Sequence, residues 1–151
     1  MKRAIALACL LLSFCFGLAW APSPAAADDN QDFTSPSPEG AYVYFIEPCD
    51  TQEVDSTFAV KFGLAGMGVA PAGIDKPNTG HHHLIIDLDE LPDLSTSLAA
   101  TDNIKHFGGG QTETRLTLPA GEHTLQLLLG NYVHIPHDKP VLSEKIVVNV
   151  R

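Results

Sequence analysis

Three imidazoles stand side by side in Gly80-His81-His82-His83-Leu84-Ile85-Ile86-Asp87, at the mouth of a segment that reads as a strand. On a strand, positions i and i+2 share a face and lie ~6.6 Å apart, a gap that two rings can bridge to hold one metal ion. His81 and His83 form such a pair, with Asp87 continuing their side. His82 falls on the face of Leu84, Ile86 and Leu88 and is expected to turn toward the core. The remaining histidines follow at His106, beside a glycine run, at His123 after Glu122, and at His134 and His137 in HIPH. The sequence therefore offers His81 and His83 as primary ligands, with His106, His134 and His137 to complete the set. His123 reads as solvated in a turn. Such a donor set, imidazole with carboxylate nearby, suits Cu(II), Zn(II) or Ni(II), whereas the single methionine after residue 27, Met67, excludes a methionine-rich Cu(I) site. An imidazole coordinates only when neutral, so with an unperturbed pKa of ~6.5 binding is expected to fall between about pH 7 and pH 5.

Other groups carry weaker signals. Gly108, Gly109 and Gly110 lack the Gly-Lys-Ser/Thr ending of a phosphate cradle, so they read as a tight loop that delivers Gln111 and Glu113 into a strand. From there Gln111 and Glu113, with His82 and Asp87, could orient ligand imidazoles or lock loops. Cys49 in IEPCD has no CxxC partner and no basic neighbour, and reads as tolerated.

The elements that must position these groups are short and extended. AYVYFIEP, STFAVKFGLAG, HHHLIIDLDE, QTETRLTLPAG, HTLQLLLGNYV and SEKIVVNVR predict six strands, with buried faces marked by Phe58, Val60, Phe62 and Leu64, by Leu125, Leu127 and Leu129, and by Ile146, Val148 and Val150. PAGEH at 119–123 reads as a hairpin turn, and 91–105 as a loop with one helical turn around residues 95–100. The implied architecture is all-β, a single immunoglobulin-like sandwich over residues 41–151, with a small barrel as the alternative.

Ahead of it, Lys2 and Arg3 lead into the apolar run from Ala4 to Ala21, and Ala25 and Ala27 offer an A-x-A cleavage site. Residues 1–27 therefore read as a secretory signal peptide and 28–40, DDNQDFTSPSPEG, as a flexible tether. The product is expected to be periplasmic or secreted, with no membrane anchor after cleavage. Removing Lys2 and Arg3 leaves seven of nine basic residues against 18 acidic ones, a formal charge of −11, which disfavours nucleic acid and anionic membranes as partners. Of three cysteines only Cys49 remains, so no internal disulfide can form.

At GHHH, HFGGGQTE and HIPHDKPVLSE, from about Tyr42 to Val150, the chain resembles an exported bacterial family known as domain of unknown function 4399, whose marks are GHHH and GQTE. The resemblance implies no established activity. Relatives often carry another histidine where this chain has Ile104, and a polar residue where it has Cys49. Three functions follow from the residues. The first is a periplasmic metal-binding module. The second is a non-catalytic scaffold in which GHHH and GQTE form a structural polar network while the acidic surface meets an unidentified protein partner. The third is a zinc hydrolase drawn from His81, His83, His106 and Glu113, for which no substrate signature exists.

Overall fold

The computed structural model describes residues 33–151. The expected signal peptide and the first part of the tether lie outside the described residues. Nine strands alternate with loops: β1 (Tyr42–Glu47), β2 (Gln52–Val54), β3 (Thr57–Ala65), β4 (Gly68–Val69), β5 (Thr79–Ile86), β6 (Ile104–His106), β7 (Glu113–Thr117), β8 (Gly121–Gly130) and β9 (Ile146–Val150). All six expected strands are present, and β2, β4 and β6 are short additions. Two sheets form, one ordered β1-β3-β7 and the other β2-β9-β8-β5-β4, with β6 also paired to β5. The architecture is the all-β sandwich rather than the barrel.

Alternation decides what each sheet buries. Val43, Phe58, Val60, Phe62 and Leu116 of the smaller sheet meet Leu84, Ile86, Leu125, Leu127, Leu129, Ile146, Val148 and Val150 of the larger one in a single core. The larger sheet is covered on its outer face as well, where Ile85 and Leu128 pack with Leu88, Leu94, Leu98 and Leu142. Strand β5 is therefore buried on both sides, which explains its nearly unbroken apolar run after the histidines. No helix forms in 91–105. Asp93 instead closes a turn by accepting from the Ser95 amide at 2.9 Å and its hydroxyl at 2.7 Å.

Two local expectations change. PAGEH is not a hairpin, because β7 and β8 belong to different sheets and the segment carries the chain between them. His123 is not solvated. Its Nδ1 lies 2.6 Å from Asp87 Oδ2 and its Nε2 3.0 Å from the Pro119 carbonyl, and only 11% of its side chain is exposed. A ring between two acceptors satisfies both only when doubly protonated. The Asp87 hydrogen bond raises the His123 pKa above its usual value, with the Pro119 carbonyl helping and burial opposing. Asp87, at φ +51°, also accepts from the Thr124 amide at 2.8 Å. The end of β5 is thus stapled to the start of β8.

The described part of the tether is held down. Ser37 bonds Asp138 and Lys139 through its amide and hydroxyl, and the Asp138 amide donates to the Ser35 carbonyl. Residues 33–38 bury few apolar groups, as their composition indicates, yet these hydrogen bonds give them one path across the 131–139 loop.

The His123–Asp87 pair sets an expectation with a definite sign. A folded pKa above 6.5 adds stability that is complete below pH 6.5 and is lost as pH rises through the raised value. Asp87→Asn keeps the acceptor for Thr124 and should cost about 1 kcal/mol at pH 6, a modest figure because Asp87 is 39% exposed. Chemical denaturation at pH 6 and pH 9 should show the deficit shrinking at the higher pH; a deficit that grows would contradict the charged pair.

Candidate metal centre

The strand register places the imidazoles. In β5 even-numbered residues face the core, so His82 packs between the sheets with its ring 5.2 Å from that of Phe62. The odd-numbered His81 and His83 turn to the outer face, where His83 stands directly opposite His106 of β6 in an antiparallel pair. Opposed residues bring their Cβ atoms to about 5 Å. On the other side of β5, His81 is opposite Gly130 of β8. Phe107 follows His106 into the core, where its ring lies 4.8 Å from Phe62, and its amide donates to the His82 carbonyl at 3.0 Å. The strand that presents His106 is anchored by its neighbour.

His81, His83 and His106 each offer a ring nitrogen within 4.8 Å of the others. A fourth ring, His134, arrives from the loop after β8. Its centre is 4.5 Å from His106, 4.9 Å from His81 and 6.1 Å from His83, while the first three rings are 4.8–5.2 Å apart. His137 does not join them. It is buried, and its Nε2 donates to the Thr79 carbonyl at 3.3 Å.

Glycines make the room. A Cβ at Gly130 would come within 2.7 Å of the His83 ring, and one at Gly108 within 2.3 Å of the His106 ring. A Cβ at Gly80 would stand 2.6 Å from the Gly130 carbonyl, so the glycine of GHHH lets β5 and β8 approach where the histidines begin.

His81, His82 and His83 are fully buried, and none of their six ring nitrogens makes a well-formed hydrogen bond, although the Gly63 and His81 backbones lie close enough to oppose the lowering of the His82 and His83 pKa values. Leaving a buried polar atom unpaired costs about 1–3 kcal/mol. The residues expected to support the rings bond elsewhere. Asp87 holds His123 at the far end of β5, Gln111 accepts from the Gly109 amide within its own loop at 3.0 Å, and Glu113 is exposed on the smaller sheet opposite Lys61. The polar network linking GHHH to GQTE side chains is therefore not observed, and the hydrolase drawing loses its carboxylate.

Burial, then the neighbouring imidazoles His106, His134, His82 and His137, lower the His81 pKa to about 4. Burial followed by His81, His106 and His134 lowers His83 to about 3, with the His81 backbone opposing. Burial brings His82 to about 4 against the Gly63 backbone, and burial and His134 lower His106. His81 and His83 thus stay neutral, the form that coordinates, to below the pH 7 to 5 window expected of free histidine.

The chain belongs to the family described as domain of unknown function 4399, which matches residues 60–151. Among solved structures it is similar to the endo-beta-1,4-mannanase from Thermotoga petrophila, at 23% identity and a TM-score of 0.42 over 74% of this chain and 20% of that one. It is also similar to a Jonesia denitrificans lytic polysaccharide monooxygenase, at 17% identity and a TM-score of 0.35 over 69% and 60%. This chain thus spans about a fifth of the mannanase and three fifths of the monooxygenase. At these scores neither likeness bears on function. No curated protein matches.

Sequence reasoning missed β6, and with it the direct opposition of His83 and His106, because a three-residue strand leaves no periodic signal. It also missed the role of Asn131, which it read as the continuation of a strand, whereas β8 ends at Gly130.

Two expectations follow for the metal-free protein. Because the folded pKa values of the triplet are lowered, the unfolded chain takes up protons first. Stability should be complete above pH 6.5 and fall as pH drops toward 4, by about 1.4 kcal/mol per pH unit for each histidine; a urea midpoint that stays flat from pH 7 to 4.5 would contradict this. His82 has unpaired nitrogens in an apolar layer, so His82→Leu should raise the thermal midpoint, by about 1–3 kcal/mol of stability. A lowered midpoint would mean that the ring has a polar role in the core.

Proposed function

We propose that this chain is an exported module that binds one transition-metal ion, Cu(II) or Zn(II), through His81, His83 and His106. The observation that carries this reading is the set of buried, neutral, hydrogen-bond-free imidazoles on the outer face of β5, with a third imidazole directly across the strand pair. A bound cation would supply the partner that these nitrogens lack, and would convert a cost to folding into binding energy. The donor set is entirely imidazole, which suits Cu(II), Zn(II) or Ni(II) better than calcium or magnesium, whose ligands are oxygens. Metal–nitrogen bonds of about 2.0–2.1 Å put tetrahedral ligand nitrogens about 3.3 Å apart, so nitrogens now within 4.8 Å of one another would close further on the bound ion. The signal-like leader supports export, where such ions meet proteins directly.

Calorimetric titration of untagged protein with Zn(II) and Cu(II) tests the reading. His81→Ala and His83→Ala should each weaken binding by at least 100-fold, while His82→Leu binds as the parent does. Gly108→Ala should fold normally and bind at least 10-fold more weakly, since its methyl group displaces only the end of the His106 side chain. A parent protein that takes up neither ion would overturn the proposal.

A further inference from the structure

The loop that carries His134 is built around one buried amide. Asn131 is 1% exposed, and its Oδ1 accepts from two backbone amides, Val133 and Ile135, each at 3.0 Å. Its Nδ2 donates to the Phe33 carbonyl at 2.8 Å and to Ser35 Oγ at 3.0 Å. Its own backbone closes the same loop, the amide donating to the Ile135 carbonyl at 2.9 Å and the carbonyl accepting from the His134 amide at 2.9 Å. The two amides that flank His134 are thus fixed by one side chain, and that side chain is oriented by the N-terminal segment.

The conformation being fixed is an uncommon one. His134 has φ +70°, a left-handed backbone that non-glycine residues adopt rarely and at a cost. Its carbonyl accepts from the Leu98 amide at 3.0 Å, which pins the other side of the residue. The result is that the His134 ring enters the cluster. An imidazole bound at about 2.0 Å places its ring centre about 3 Å from the metal, so four such ligands around one ion have centres about 5 Å apart. The six distances among His81, His83, His106 and His134 run from 4.5 to 6.1 Å.

We infer that His134 is the fourth ligand of a four-imidazole site, and that Asn131 is the positioning residue that holds it there through the 131–135 turn. This rests on the metal-binding reading above and gives the site its coordination class: four imidazole nitrogens, two on the buried floor at His81 and His83 and two at the rim at His106 and His134. It also makes residues 33–35 part of the site's support.

Co(II) is the probe, because its visible absorption is strong when four-coordinate and weak when six-coordinate. The parent should give the strong band. His134→Ala, with water in the vacated position, should shift that band and bind Co(II) at least 10-fold more weakly, and Asn131→Ala should do the same although it touches no metal. The double variant should be no worse than His134→Ala alone, since Asn131 acts only through that ring. If Asn131→Ala fails to fold, Asn131→Ser, too short to reach both amides, is expected to shift the band and weaken binding in its place. A band and an affinity that stay at the parent values in a folded alanine or serine variant, or losses that add in the double variant, would overturn this inference while leaving the three-histidine reading intact. A parent that binds no Co(II), Zn(II) or Cu(II) would overturn both.

Discussion

Everything at the candidate site depends on β5 being paired on both edges and covered on both faces. A strand in that position has no solvent to hydrate its side chains, so each residue must find a partner in whichever layer its parity selects. Leu84, Ile85 and Ile86 do so by apolar packing. His81, His82 and His83 occupy equally buried positions and find no well-formed hydrogen bond. Sheet hydrogen bonding, which is indifferent to side chains, forces three costly groups into the interior.

Parity then divides the triplet. One ring enters the apolar layer against Phe62, and two join His106 and His134 on the outer face. These are separate environments, although the residues are consecutive. On the outer side, burial first and then the crowding of like groups hold His81 and His83 neutral, because protonating either would place a poorly hydrated cation among imidazoles. Such an arrangement is poorly suited to an internal hydrogen-bond lock, which needs donors facing acceptors, and well suited to a shared cation. The acidic groups that could have paired with the rings are engaged at a distance, Asp87 with His123 and Glu113 on the other sheet.

Much of this was legible in the sequence. Period-two alternation gave the six long strands, the separate faces of His82 and of the His81 and His83 pair, and the core rows of β3, β8 and β9, because burial on one face leaves a strong mark. The all-β class and the family followed from the same stretches. What escaped were features set by long-range geometry. The pairing of β6 depends on a three-residue strand, and the role of Asn131 on where β8 stops, which no local pattern in LLLGNYV marks. His123 was misread because its partner lies 36 residues away, and Gln111 and Glu113 because motif proximity in sequence did not become proximity in space.

The central claim is that unpaired imidazoles in the outer layer of β5 share one metal ion, and X-ray absorption at the zinc or copper edge of protein loaded with one equivalent addresses it most directly. The account predicts a first shell of three or four nitrogens at about 2.0 Å with the outer-shell scattering of imidazole rings. A shell made of oxygens without the imidazole pattern, or protein that emerges from loading without metal, would contradict it.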